Sequence, residues 1–258
     1  RIDKNCKLFI TYKLNSMKKI LFSFFALFCG GLLMAQSLKV SVMGDSYSTY
    51  RGTMPKHYDS FYPTPMCKVS EQSQMWWQQF IDRNGYQLEK NDSYSGSTIS
   101  NSGYNKDDYS DRAFVSRINE IGNPDILFIF GGTNDDWVPA PMGEYKYKKW
   151  TKEDLYSFRP AMAYLLHHLK EQYPNMKIYV LMNSDMKDET DESIRTICKK
   201  YKVPYIELHD IEKSVNHPTL AGMTAIADQI QEFIDALRCR NGNLRIIMAV
   251  RETGGEKL

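Results

Sequence analysis

The run Pro124-Asp125-Ile126-Leu127-Phe128-Ile129-Phe130 constrains this fold more than any other stretch. It is too short for a core helix, and it is apolar at every position from Ile126 onward, so it does not alternate. A strand of that kind is buried on both faces and belongs at the centre of a parallel sheet with helices on either side. The flanking sequence supports such a sheet. Strand-like runs lie at Leu38–Met43, Tyr86–Asn91, Met176–Met182 and Pro204–Leu208. Between them lie helical patterns. Glu71–Arg83 places Met75, Trp76, Phe80 and Ile81 on one face and stops at Gly85. Asp111–Ile121, Lys152–Tyr173, Glu189–Tyr201 and Thr219–Leu237 follow, with Pro160 as a point where the second of these kinks or divides. Strict alternation of strand and helix predicts a doubly wound α/β/α domain with a parallel sheet and right-handed crossovers. Neither internal repeats nor an interdomain linker interrupt it.

Three strand ends carry small, polar, glycine-containing turns: Gly44-Asp45-Ser46, Ser95-Gly96-Ser97 and Gly132-Thr133-Asn134-Asp135. Asn216-His217-Pro218 precedes the last helical pattern. In open α/β sheets ligands bind at the carboxyl ends of the strands, so these four segments are expected at one edge. Taken singly, Gly-Asp-Ser is an ordinary turn and His217 merely precedes a helix. Together they match what acyl transfer needs: a nucleophile, a base in reach and donors for the developing oxyanion. Ser46 is the candidate nucleophile and His217 the candidate base. The Ser46 and Gly96 main-chain N–H groups and the Asn134 amide are the candidate oxyanion donors. Pro218 suits the first position of a helix, which would put His217 at a helix N-terminus and favour its neutral form.

In this order the four segments resemble the motif blocks of the SGNH hydrolases, also called the GDSL esterase/lipase superfamily, from about Leu38 to Leu237. Ser46 falls at that family's serine, Gly96 at its glycine, Asn134 at its asparagine and His217 at its histidine. The resemblance implies a flavodoxin-like three-layer α/β/α fold, a sheet of about five strands, and ester hydrolysis without a metal or other cofactor. Gly131-Gly132-Thr133-Asn134-Asp135 and His217-Pro218-Thr219-Leu220-Ala221-Gly222-Met223 are similar to secreted members from Bacteroidetes-type bacteria, a group linked to deacylation of carbohydrates. One position departs from the pattern. The family's aspartate three residues before the histidine is Ser214 here. Asp210 is the first replacement for the third triad member, Glu212 lies nearby, and a main-chain carbonyl would leave a Ser-His dyad.

The implied function is a secreted serine esterase. Lipase, lysophospholipase and thioesterase activity are rivals on the same site, and a non-catalytic carbohydrate-binding protein is a rival of another class. The Tyr- and Pro-rich loop Thr49–Val69 has neither helical nor strand period, and long aromatic loops of that kind are usually functional. With Tyr47 and Trp137 as candidate substrate contacts, and Trp150 beyond, it suggests a polar cleft suited to acylated sugars. Trp76 and Trp77, at helical spacing, are expected in the core, and His167 and His168 are expected to be structural.

Composition narrows the partners. The net charge of +2 comes from the first 35 residues, and beyond them 27 Lys/Arg stand against 30 Asp/Glu, which gives no basic footprint for nucleic acid. Met17-Lys18-Lys19, the apolar run Ile20–Met34 and the small Ala35 form a secretory leader, with residues 1–16 upstream of it. Secreted or periplasmic placement follows, without membrane insertion once the leader is removed. Phe28 precedes Cys29 where a lipid-anchor signal wants a small residue, so no lipid anchor is expected. The domain is expected over residues 36–239, and residues 240–258 form a tail of unassigned role. Cys67, Cys198 and Cys239, an odd number without regular spacing, suit neither a disulfide framework nor a zinc site.

Overall fold

The computed structural model describes residues 37–138 and 140–253, with side chains as far as Cys239. The leader expected at Met17–Ala35 lies outside the described residues, as do residues 254–258. Five parallel strands form the central sheet: β1 (Lys39–Gly44), β2 (Gln87–Ser93), β3 (Ile126–Phe130), β4 (Lys177–Met182) and β5 (Tyr205–Glu207). Their order is β2-β1-β3-β4-β5. The chain starts in β1, fills the β2 edge, then returns to the other side of β1. The order therefore reverses between β1 and β3, the crevice where doubly wound sheets bind ligands.

The apolar run singled out in the sequence is β3, and all five of its residues are buried. Phe128 and Phe130 pack with Trp76, Phe80 and Ile81 of α1 (Trp76–Asn84) and with Met223, Ile226 and Ile230 of α5 (Leu220–Thr253). Leu127 and Ile129 face the other way, toward Leu165, Leu166 and Leu169 of α3 (Phe158–Gln172) and Ile194 and Ile197 of α4 (Asp188–Tyr201). Alternate side chains thus enter two separate cores, which is why a polar residue nowhere interrupts the strand. Trp76 and Trp77 are fully buried, as expected of core residues. A short helix, α2 (Thr133–Trp137), follows β3 directly.

Several segments differ from the sequence reading. The helix expected over Asp111–Ile121 is two 3₁₀ turns, Phe114–Ser116 and Ile118–Glu120. The N–H groups of Phe114 and Val115 are drawn to the carbonyls of Thr98 and Ile99 (2.9 and 3.4 Å), so a neighbouring loop takes the donors a helix would use. Pro160 does not kink its helix. It is the third residue of α3, in the first turn, where an N–H has no intrahelical acceptor, and Glu153–Tyr156 is a separate 3₁₀ turn. The last helix begins at Leu220, not beside His217, and its backbone continues through the stretch expected as a tail to Thr253. His217 and Pro218 instead form β7, paired antiparallel with β6 (Lys213–Ser214). Cys67, Cys198 and Cys239 are free. Among the described residues no helix is long and apolar enough to cross a membrane.

Candidate active site

Gly44 ends β1 and turns the chain sharply. A Cβ there would lie 2.5 Å from the Ser48 side chain, so only glycine lets the turn close. Asp45 stabilises that turn, with its Oδ1 accepting the Tyr47 N–H at 3.0 Å. Ser46 is thereby carried over the β1–β3 crevice, 5% exposed. Its Oγ lies 2.9 Å from His217 Nε2. His217 Nδ1 lies 2.9 Å from the Val215 carbonyl oxygen. A carbonyl only accepts, so Nδ1 carries the proton and Nε2 is left as the acceptor for the Ser46 hydroxyl.

The β6–β7 hairpin that presents His217 has a two-residue loop, Val215-Asn216, with both residues at positive φ (46° and 62°), as a type I′ turn requires. Positive φ is costly for a β-branched residue, so the hairpin needs outside support. Tyr47 Oη donates to the Asn216 carbonyl at 2.5 Å, Tyr62 Oη donates to the Pro218 carbonyl at 2.6 Å, and Lys213 Nζ donates to Asn183 Oδ1 (2.8 Å), Ser184 Oγ (3.0 Å) and Asp185. Tyr47, expected to contact substrate, is instead 1% exposed and serves as a strut under this turn.

Asp210, expected to orient the histidine, does not reach it. Its side chain is 96% exposed and its carboxylate meets His209 Nδ1 at 3.0 Å. Glu212 is held away too, accepting the Thr219 hydroxyl at 2.5 Å. The acid reading fails because the hairpin folds the chain back at Val215, closer to His217 than any carboxylate in this segment. Asp210→Asn is therefore expected to lower kcat by less than about tenfold, against the ~10⁴-fold cost of the same change in a serine protease triad. Steady-state kinetics on an activated ester checks this, and a loss of 10³-fold or more would restore Asp210 to the site.

Asn134, in α2, is 3% exposed. One N–H of its amide is spent on the Ser97 carbonyl (2.9 Å), and Tyr104 Oη donates to Asn134 Oδ1 at 2.7 Å. The amide's orientation is thus fixed from both ends, leaving the second N–H for a ligand. Gly96 sits at φ 78° with open space where a side chain would stand. Among the described residues, neither the Ser46 nor the Gly96 main-chain N–H donates to a protein acceptor.

Buried charge locks these loops together. Arg117 is 2% exposed and pairs with fully buried Asp92 at 2.9 Å. Its remaining N–H groups reach the carbonyls of Asp92, Gly44 (3.3 Å) and Arg112 (2.8 Å) and the Ser97 hydroxyl (3.2 Å). One guanidinium therefore ties the end of β1 to the end of β2 and the Gly96 turn. Asp135 accepts the N–H groups of Ile99 and Ser100 (2.7 and 3.0 Å) and the Ser100 hydroxyl, which joins α2 to the same loop. Burial pushes Asp135 up to about 6 and Asp45 up to about 7, and Asp45 Oδ2 is buried without a partner. His217 is held below the usual histidine value, first by burial; the Val215 carbonyl opposes that shift and the Lys213 ammonium adds to it.

Besides Tyr47, whose ring lies 5.3 Å from the imidazole, two aromatic side chains flank His217. Trp137, 40% exposed, meets its ring edge-on at 6.4 Å, and Phe61 stacks flat against it. Trp150 is not at the site; it packs on Tyr164 and His167 and donates to the Lys146 carbonyl. Phe61, Tyr104 and Arg117 were missed in the sequence; a main-chain carbonyl on His217 was among its alternatives, and the structure identifies it as that of Val215. Among the described residues no group of three or more His, Cys, Asp or Glu side chains is placed to hold a metal ion.

The sequence and the fold are similar to those of known proteins. The family described as GDSL-like Lipase/Acylhydrolase matches residues 38–234. A crystal structure of a Bacteroides ovatus protein described as a GDSL-like lipase is 50% identical, with a TM-score of 0.77, over 78% of this chain and 99% of that one. A second, from Bacteroides uniformis, is 46% identical, with a TM-score of 0.78, over 80% of this chain and 99% of that one. An acetyl xylan esterase from Butyrivibrio proteoclasticus shares the fold at 19% identity, with a TM-score of 0.55, over 81% of this chain and 65% of that one. No curated protein matches the sequence.

Proposed function

Because the chain belongs to the GDSL-like lipase/acylhydrolase family, we propose that it cleaves carboxylic esters through an acyl-enzyme on Ser46, with His217 as base and no acidic third member. The observation that carries this reading is the Ser46 Oγ–His217 Nε2–Val215 carbonyl line, 2.9 Å at each step. Ser46 Oγ attacks the ester carbonyl carbon as its proton passes to Nε2. The carbonyl oxygen becomes an oxyanion facing the Ser46 and Gly96 N–H groups and the free N–H of Asn134. The imidazolium then protonates the leaving alcohol. Water repeats the sequence on the acyl-enzyme, and Ser46 regains its proton as the acid departs.

Esters of short acyl groups, on carbohydrate alcohols, are the proposed substrates. Exposed Trp137 beside His217 supports this, since an indole face suits a sugar ring at the leaving-group side. The fold shared with an acetyl xylan esterase supports it as well. Secretion is proposed on the leader-like residues 17–35.

Hydrolysis of p-nitrophenyl acetate, butyrate and octanoate, then of acetylated oligosaccharides, tests the proposal. Acetate is expected to be the best of the series, and no turnover of any ester would sink it. The pH profile tests the base. A lowered histidine pKa means His217 stays neutral to lower pH, so kcat/KM should fall only on acidification below the ordinary histidine value of 6.5. Asp45 titrates nearby, so the Asp45→Asn variant should keep this limb. A limb lying above about 7.5, outside the usual histidine range, would assign it to another group.

A further inference from the structure

We propose that Phe61 and Thr49 are positioning residues that set the plane of the His217 ring, a task a carboxylate performs in a full triad; this rests on the Ser46–His217 reading above. The Val215 carbonyl fixes one atom of the imidazole. A single neutral acceptor lets the ring pivot and binds less strongly than a carboxylate would. Phe61 blocks that pivot. Its ring lies 3.6 Å from the imidazole, centroid to centroid, with only 6° between the planes. Tyr47 and Trp137 meet the imidazole at 59° and 73°, so neither shares its plane.

Phe61 is itself tied to the nucleophile. Its N–H donates to Thr49 Oγ1 at 2.9 Å, and the Thr49 hydroxyl donates to the Ser46 carbonyl at 3.0 Å. Thr49 is fully buried, so no water competes for that hydroxyl. The chain Phe61 N–H to Thr49 to Ser46 therefore fixes the aromatic face relative to the serine whose proton the histidine must accept. The face also favours the imidazolium, a charge that exists only once the proton has moved. The contribution should therefore fall on kcat and leave KM nearly unchanged.

Four variants test this on p-nitrophenyl acetate. Phe61→Leu keeps an apolar cover but removes the planar face, and kcat is expected to fall about 3- to 30-fold, the rate equivalent of a cation–π contact. Phe61→Tyr restores the face and should recover most of that loss. Thr49→Val, which removes both bonds at nearly equal volume, should lower kcat in the same sense, and Thr49→Ser should recover it. NMR of the His217 ring protons in the Ser46→Ala background gives a readout independent of turnover: the upfield ring-current shift should disappear in Phe61→Leu. A Phe61→Leu enzyme with wild-type kcat, or a Phe61→Tyr enzyme as slow as Phe61→Leu, overturns the proposal. Ester turnover that survives Ser46→Ala at the wild-type rate would instead refute the dyad itself, whatever the ring protons show.

Discussion

Ser46→Ala is expected to reduce ester turnover by on the order of 10⁶-fold, the scale on which serine hydrolases lose activity with their nucleophile. The fold should survive the change. Removing one oxygen from a 5% exposed side chain opens little space, and the bond it forfeits is the one to His217. The bonds that shape the turn, Tyr47 N–H to Asp45 Oδ1 and Thr49 hydroxyl to the Ser46 carbonyl, do not involve the serine side chain. Equal melting temperatures with activity near the uncatalysed rate would therefore assign the chemistry to this oxygen. A fluorophosphonate should label the wild type at Ser46 and leave the variant unlabelled. Label on Ser48 would redirect the mechanism, but Ser48 is fully buried behind the turn and its hydroxyl has no partner to deprotonate it.

Asn134→Ala is expected to lower kcat by about 10²- to 10³-fold with little change in KM, as when one oxyanion donor is lost. The amide is held by Tyr104 on one side and Ser97 on the other, so its free N–H is aimed before substrate arrives. Such preorganisation matters most when negative charge develops on the substrate oxygen. The substitution also strands the Tyr104 hydroxyl and the Ser97 carbonyl, so some stability is lost with it. Comparison with Tyr104→Phe separates the two effects, because that variant keeps the donor and loosens its aim. A change confined to KM would mean that Asn134 binds ester and transition state alike.

Much of this molecule was legible as letters. Ser46, Gly96 and Asn134 each end a strand in a glycine-containing turn, and the alternation of elements predicts their meeting at one sheet edge. The run Ile126–Phe130 marks the central strand because both of its faces are covered. What escaped reading was held by long-range contacts or by the main chain. Arg117 fell within a stretch that reads as a helix, and its role depends on the carbonyls of Gly44 and Asp92, far away in sequence. Phe61 and Tyr104 sit in aperiodic loops, where no spacing announces a neighbour. For the histidine's partner Asp210 ranked ahead of a main-chain carbonyl, because a sequence spells out side chains and does not say which carbonyl a ring will meet. Asp210 fitted by proximity in sequence, yet its side chain is exposed and meets His209 instead.

The turn at Val215-Asn216 has a consequence for heredity. A carboxylate partner is one codon away from being lost. The oxygen that holds His217 belongs to the peptide unit of Val215, and no single-residue replacement deletes it. Mutation reaches it only indirectly, by altering the hairpin's shape or the Tyr47, Tyr62 and Lys213 props beneath it. The trait is written across several positions, each of modest effect, instead of at one. Replacing Val215 by a residue that tolerates the left-handed region leaves the acceptor in place, so this element of the site depends on the shape of the backbone more than on the side chain at that position.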